Sequence, residues 1–324
     1  MTDSTIPRRY GITIPFNGIP MHEHREWIEL LADRGYTDVS AGEAGANDGF
    51  TPLVLTAAWA PTMRLSNSIL PVYTRGPALL AQSIASLCDA APGRVAVGIG
   101  ASSNVIVVQW NGIPFDRPYA RVRDTIRFLR AALAGEKVTE DYETFSVKGF
   151  RSELVPSEPP PILVAALRSK MLKLAGTEGD GAILNWLSPG DMPKITEAVG
   201  PDKEIMCRMF VYPTEDYALV RKLATRHMNA YLNVPVYRAF QEWLGRTEVL
   251  TPMWDAWAEG DRKKATEVIP DEIVDELVVW GSADRIRAGV EKYVEMGVTT
   301  PTPLVMTSDL EGLRIAIDAL APPS

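Results

Sequence analysis

Short apolar runs alternate with helix-like segments along most of this chain of 324 residues. The eight runs that we interpret as strands are residues 10–15, 38–40, 64–69, 94–99, 161–166, 181–186, 205–211 and 300–306. Where one helix joins two successive strands, the connection is a crossover. The two strands are then parallel to each other. Eight such units predict an α/β fold, a (β/α)8 TIM barrel.

The segment between the seventh and eighth predicted strands is longer than one barrel helix requires. Residues 215–275 therefore predict a helical insertion after strand seven. Its aromatic side chains favour either a roof over the ligand site or a dimer surface, and both alternatives stay open. Because no linker rich in Pro, Gly or Ser divides the chain, we expect residues 1–324 to form a single domain.

Composition excludes several classes of function. A net charge of −8 and a pI near 5.1 argue against non-specific nucleic-acid binding. The sequence has no apolar run long enough to span a membrane and no secretory signal, so we expect a cytoplasmic protein. Cys88 and Cys207 are predicted to be buried, reduced thiols. With three histidines in all, the sequence predicts no metal site.

Small residues stand where most of the predicted strands end. In a TIM barrel the ligand lies at the carboxyl ends of the strands. Small side chains at those ends suit a flat ring over the barrel mouth better than they suit a cluster of general acids. Trp186, at the end of the sixth strand, is open to two interpretations, stacking on a substrate or packing in the core.

Arg168, Ser169 and Lys170 open a helix directly after the fifth predicted strand. Backbone N–H groups, the helix dipole and two cations converge there. Such a point stabilises an anion such as a phosphate. From the residues alone, an ordinary helix start with solvated basic side chains is an equal alternative.

Three segments carry a family resemblance: SILPVYTRGP at residues 68–77, GRVAVGIG at 93–100 and WNGIPF at 110–115. The chain resembles the luciferase-like superfamily, and within it the oxidoreductases that use coenzyme F420, among them methylenetetrahydromethanopterin reductases. The resemblance implies a cis peptide between Ser68 and Ile69 behind the cofactor ring. It also implies that the cofactor phosphate docks at the start of the helix at Arg168.

The candidate cofactor-binding residues follow from this resemblance and from the strand ends. They are Ser40, Ser68, Ile69, Tyr73, Gly98, Gly100, Ala101, Ser102, Ala165, Ala166, Arg168, Ser169 and Lys170.

Glu43 and Asn17 are the candidate catalytic residues. Glu43 matches a glutamate that one or two histidines follow in luciferase-like proteins, whereas here Ala44 and Gly45 follow it. Flavin luciferases use such a histidine to manage the oxygenated flavin, so its absence disfavours a monooxygenase. Asn17 stands where some deazaflavin dehydrogenases carry an acidic residue, so no known acid–base pair transfers to this chain.

The resemblance implies an F420-dependent oxidoreductase that moves a hydride between the deazaflavin C5 and a small organic substrate. One alternative is an FMN-dependent luciferase-like monooxygenase, since the phosphate turn suits FMN equally well. A second is a non-catalytic F420-binding protein, because a fold does not guarantee activity. The family habit also implies a homodimer.

Overall fold

The computed structural model describes residues 6–323. Its strands are β1 (Gly11–Thr13), β2 (Asp38–Ala41), β3 (Arg64–Asn67), β4 (Leu70–Pro71), β5 (Val95–Gly100), β6 (Val138–Asp141), β7 (Ser146–Phe150), β8 (Ile162–Ala165), β9 (Gly181–Asn185), β10 (Glu204–Arg208), β11 (Phe210–Tyr212), β12 (Val279–Trp280), β13 (Thr300–Pro301) and β14 (Leu304–Val305). Its α-helices are α1 (Arg25–Asp33), α2 (Thr51–Trp59), α3 (Pro77–Ala90), α4 (Pro118–Leu133), α5 (Ser169–Thr177), α6 (Met192–Val199), α7 (Tyr217–Leu232), α8 (Pro235–Leu244), α9 (Thr247–Ala258), α10 (Arg262–Glu267), α11 (Asp271–Leu277), α12 (Ala283–Glu295) and α13 (Leu310–Leu320).

Eight parallel strands form the predicted barrel. They follow one another in the order β1-β2-β3-β5-β8-β9-β10-β13. Two backbone hydrogen bonds join the last strand to the first, from Arg9 N–H to the Thr299 carbonyl (2.9 Å) and from Thr13 N–H to the Pro303 carbonyl (2.8 Å). The prediction of a (β/α)8 TIM barrel is confirmed.

Side chains alternate between the helices and the barrel interior along each strand. Leu65, Val97 and Val164 belong to the main core between sheet and helices. Four apolar side chains in the middle of the barrel interior belong to the consecutive strands β5, β8, β9 and β10. They are Ala96, Leu163, Ile183 and Met206. This apolar layer separates two polar ends.

A charged network closes the end of the barrel where the strands begin. Arg64 on β3 donates to Asp38 on β2 and to Glu204 on β10, and both of those pairs are salt bridges. Arg9 also pairs with Asp38, at 2.7 Å. Thr300 on β13 donates to Glu204 at 2.6 Å. Four strands are therefore joined by ionic and hydrogen bonds at this end.

The seventh and eighth strands are each shorter than the sequence predicts. The run at 205–211 is divided into β10 and β11, and the run at 300–306 into β13 and β14. β11 and β14 leave the barrel and pair with β12 in a separate three-stranded sheet. Pro303 lies in the second break, where it has no N–H to donate to a ladder.

Helices α7 to α11 lie between β11 and β12. Their apolar faces form a second core with Trp186 and Phe210. Buried Arg246 ties this group to the barrel, because it donates to Asp191 at 2.7 Å and to Glu276 at 2.6 Å. Within residues 6–323, no helix is long and apolar enough to cross a membrane.

Candidate functional site

The mouth of the barrel is built by the last inward-facing residue of each strand. Ser68 follows β3, Asn185 ends β9 and Arg208 ends β10, where Asn185 and Arg208 are register partners. Between them, Gly100 and Ala165 end β5 and β8 with almost no side chain. The mouth therefore combines two positions that have almost no side chain with three polar side chains.

The segment after β3 has the predicted geometry, because the Ser68-Ile69 peptide bond is cis. The Ser68 side chain accepts a hydrogen bond from Ser40 Oγ and is 8% exposed. Ile69 is half-buried and packs against the apolar layer inside the barrel. Ser40, Ser68 and Ile69 thus lie together on the floor of the mouth.

Arg208 is the residue of this mouth that the sequence reasoning missed. It extends from β10 to the opposite strand, where Nη2 donates to the Ser68 carbonyl (2.7 Å) and to Ser68 Oγ (3.2 Å). Gly42 makes room for this contact, since a Cβ there would lie 2.9 Å from Arg208 Nη2 and 2.7 Å from the Ser68 oxygen. A usable signal was present in the sequence: Glu204, Met206 and Arg208 share one face of a buried strand.

The glycines of β5 have two different surroundings. A Cβ at Gly98 would lie 1.9 Å from the Asn67 carbonyl oxygen, so this glycine is required by packing inside the barrel. A Cβ at Gly100 would lie 2.7 Å from Ala165 and 3.2 Å from Ile69, which places Gly100 on the floor of the mouth. Ala101 and Ser102 follow at its rim, half-buried, and Ser102 has a φ of 65°.

The start of α5 is open as an anion site. Ala165 ends β8, Ala166 is buried behind it, and Arg168 is the N-cap residue of α5. No side chain caps the helix, and Arg168, Ser169 and Lys170 are all exposed. In the part of the chain that the structure describes, neither cation forms an ion pair. The free N–H groups and both charges remain available to a phosphate.

Glu43 is held on one side of the mouth by its neighbours. Its carboxylate accepts hydrogen bonds from Gly49 N–H (3.0 Å), Thr74 Oγ1 (3.1 Å) and Arg75 Nη1 (2.6 Å). Arg75 is thus the ion-pair partner of Glu43. The pair fastens the loop after β2 to the segment that enters α3.

Tyr73 and Asn17 lie away from the floor of the mouth. The Tyr73 hydroxyl donates to the Asp116 carbonyl at 2.6 Å, and its ring packs on Phe115. Burial raises the pKa of Tyr73 to about 12. These contacts anchor the loop before α4 and leave no free hydroxyl proton. Asn17 is exposed in the loop after β1.

Aromatic side chains of α7 and α8 form a wall beside Arg208. Asn185 Nδ2 donates to the Tyr237 hydroxyl at 3.2 Å, and the Tyr237 ring meets Tyr231 edge to face. Trp186 is 1% exposed and stacks on Phe210, with ring centroids 4.1 Å apart, so it belongs to the core. Burial raises the pKa of Tyr237, with the Asn185 hydrogen bond and the Arg208 charge opposing it. Tyr237 is therefore a neutral donor.

The chemistry available at this mouth is binding and orientation. It offers backbone N–H groups, one arginine, a tyrosine and an amide above a floor of small residues. Among residues 6–323, no group of three His, Cys, Asp or Glu side chains is arranged to hold a metal ion. A flat cofactor that carries its own reactive atom is the kind of ligand that this arrangement fits.

Known proteins with similar sequences match nearly the whole chain. A Mycobacterium tuberculosis protein assigned as a coenzyme F420-dependent oxidoreductase is 26% identical, over 90% of this chain and 93% of that protein. The 5,10-methylenetetrahydromethanopterin reductase of Archaeoglobus fulgidus is 25% identical, over 86% of this chain and 88% of that enzyme.

A solved structure shows the same fold. The coenzyme F420-dependent tetrahydromethanopterin reductase from Methanopyrus kandleri superposes with a TM-score of 0.78 at 19% identity. The alignment covers 97% of this chain and 98% of that one. The sequence profile of the luciferase-like monooxygenase family matches residues 6–300. The chain belongs to this family, as its sequence motifs predicted.

Proposed function

We propose that this protein is a coenzyme F420-dependent oxidoreductase that transfers a hydride between the deazaflavin C5 and a small organic substrate. The observation that carries the proposal is the open start of α5, where Arg168 and Lys170 have no ion-pair partner. It lies directly after Ala165, one of the small residues on the floor of the mouth. Both similar proteins described above are named for F420 or for a reductase.

The residues present fit the cofactor at two points. The uncapped helix start of α5 suits its phosphodiester, because free N–H groups and cations stabilise an anion there. Gly100 and Ala165, which end β5 and β8, would present backbone and a single methyl group to a flat ring. When bound, the deazaflavin would supply two-electron hydride chemistry, which needs no metal.

The chain itself would bind and orient the reactants. Ser40 and Arg208 fix the Ser68-Ile69 segment through hydrogen bonds to Ser68, so the floor under the ring is rigid. The Glu43–Arg75 pair fixes the neighbouring loop. Tyr231 and Tyr237 would shield the reacting atoms from water on the β9–β10 side.

Hydride transfer is tested by mixing the protein with reduced F420 and a panel of ketones, enones and imines under anaerobic conditions. We expect at least one acceptor to oxidise reduced F420 faster with protein than without it, followed by absorbance. If no acceptor does so, while F420 binds, the non-catalytic alternative replaces this proposal.

The phosphate site is tested by Ser169→Glu, which places a negative charge at the start of α5. We expect F420 binding to weaken by at least about tenfold, because the added carboxylate repels the phosphodiester. Thr177→Glu is the matched control, since it adds the same charge to the same helix about 12 Å away. Equal affinities for both variants would move the phosphate elsewhere.

A homodimer in the cytoplasm and the single-domain organisation of residues 1–324 stay predictions. Light scattering at micromolar concentration tests the first, with a mass near twice 35.6 kDa as the expected result. One cooperative unfolding transition is expected for the single domain.

A further inference from the structure

Arg208 carries a positive charge that the surrounding protein does not neutralise. Nη2 is bound to Ser68, while Nε and Nη1 make no hydrogen bond to any residue in 6–323. No carboxylate in that range lies within ion-pair distance of it, and Glu43, the acid of the neighbouring loop, is paired with Arg75. A partly buried charge without a partner is unfavourable, and an anionic ligand offsets that cost.

The position of Arg208 adds a second reason to expect a ligand. Gly42 leaves the space that the guanidinium occupies, and the contacts to Ser68 hold it at the mouth rather than in solvent. Next to it, the Tyr237 hydroxyl accepts from Asn185 and has no acceptor of its own among the described residues. Two donor groups, one of them charged, therefore lie free at the same side of the mouth.

We propose that Arg208, with Tyr237 beside it, binds a carboxylate of the substrate. This inference rests on the proposed function and narrows its substrate class to organic carboxylates. Guanidinium groups bind carboxylates through charge-assisted hydrogen bonds, and a tyrosine hydroxyl adds a neutral one. The edge-to-face rings of Tyr231 and Tyr237 offer apolar surface to the organic part of such a molecule.

The Arg208 guanidinium lies against Ser68, and its donors are separate from the backbone N–H groups at the start of α5. Arg208 belongs to the seventh barrel strand, whereas the phosphate site follows the fifth. A carboxylate held by Arg208 and a phosphate held at Ser169 would therefore not compete for the same donors.

The test uses the cofactor-free protein, so that its readout does not depend on turnover. Benzoate, phenylacetate and 2-oxobutyrate are titrated by calorimetry beside benzamide, phenylacetamide and 2-butanone. We expect the wild type to prefer the carboxylates by about tenfold or more, the range of a charge-assisted hydrogen bond. No preference in the wild type overturns the proposal.

Variants then assign the preference to Arg208. Arg208→Met is expected to abolish it, Arg208→Lys to keep part of it, and Tyr237→Phe to reduce it several-fold. Gly42→Ala is an independent variant that keeps the arginine but displaces its guanidinium, and it too should lose the preference. Arg226→Met, on the exposed face of α7, is the matched control for net charge and should leave the preference unchanged.

The outcomes separate this inference from the proposed function. A preference that survives Arg208→Met overturns the inference, whether or not F420 binds. Loss of F420 affinity in Arg208→Met with an unchanged carboxylate preference also overturns it and assigns Arg208 to the cofactor. An Arg208-dependent preference in a protein that fails to bind F420 supports the carboxylate site and contradicts the cofactor.

Discussion

The two ends of the barrel use the same strands in opposite ways. Where the strands begin, Arg64 on β3 and Glu204 on β10 meet across the interior and neutralise each other with Asp38 and Arg9. One residue layer beyond the apolar middle, Ser68 and Arg208 meet across the same two strands, and the cation finds only a hydroxyl and a carbonyl.

The paired charges at one end therefore serve stability, whereas the unpaired arginine at the other end serves binding. Charges that are paired and buried hold strands together, and removing one partner leaves the other without compensation. A charge left without a carboxylate partner contributes little to stability and is available to a ligand. Variants at the two ends and at the rim of the mouth test this contrast.

The largest effect is expected at the closed end. Arg64→Met leaves Asp38 and Glu204 buried without their shared partner and should lower the free energy of unfolding by about 3–5 kcal/mol. Urea denaturation measures the change. Arg34→Met is the matched control, because it breaks an exposed pair with Asp318 and should cost no more than about 1 kcal/mol. Equal losses in the two variants would contradict the stabilising role of the network.

The rim of the mouth should show an intermediate effect. Glu43→Gln removes a partly buried ion pair with Arg75, so we expect a loss of about 1–2 kcal/mol in unfolding free energy. Arg75→Met should cost a similar amount, and the double variant less than the sum, because both remove one interaction.

The same variant tests the predicted catalytic role of Glu43. We expect Glu43→Gln to lower kcat more than it weakens F420 binding, with Arg75→Met as the comparison. A normal kcat in Glu43→Gln would leave Glu43 with its loop-holding contacts alone.

At the open end the effect on stability should be small. Arg208→Met removes two hydrogen bonds to Ser68 but no ion pair, so we expect unfolding free energy to fall by about 1 kcal/mol or less. A loss as large as that of Arg64→Met would show that Arg208 is a structural cation and would remove the contrast between the two ends.

The smallest effect on stability is expected from a change of pH, because His24 and Glu204 titrate in different pH ranges. His24 lies after β1, where Nε2 accepts from Phe16 N–H and Nδ1 contacts the Pro20 carbonyl, and burial lowers its pKa. The unfolded state then binds the proton more readily. The contribution of His24 to the free energy of unfolding is therefore complete above about pH 6.5, and it is lost as pH falls through the folded-state pKa.

The closed end should respond only at lower pH. Burial raises the pKa of Glu204, but the hydrogen bond and charge of Arg64 outweigh it, so the net shift is downward. The contribution of Glu204 to the free energy of unfolding is present above about pH 4.3 and is lost as pH falls below that value. Urea titrations from pH 7.5 to 4 should show the first loss in the wild type and less of it in His24→Gln. An identical pH profile in both would contradict the role of His24.

The sequence predicted the barrel because each strand is an apolar run that a helix pattern follows. The predicted strand bounds are wrong where pairing with distant strands sets them, as at Met209, which separates β10 from β11. The apolar run Val105–Trp110 forms a π-helix, which has no periodic signal. Helices α6 and α13 went unpredicted.

The candidate site was predictable in its backbone features and less so in its side chains. The cis peptide at Ser68-Ile69 and the helix start at Ser169 were located from motifs. The sequence predicts that Gly98 and Tyr73 contact the ligand. In the structure Gly98 packs against Asn67 and Tyr73 donates to Asp116, which no local pattern reveals. Arg208 was overlooked because a charged residue at a strand end usually faces water, and only the fold places Ser68 opposite it.

Parallel fluorescence titrations of the protein with F420 and with FMN would show whether the mouth binds a deazaflavin. We expect micromolar or tighter binding of F420 and weak binding of FMN. A clear preference for FMN would contradict this expectation, and would place the protein with the monooxygenases of its family.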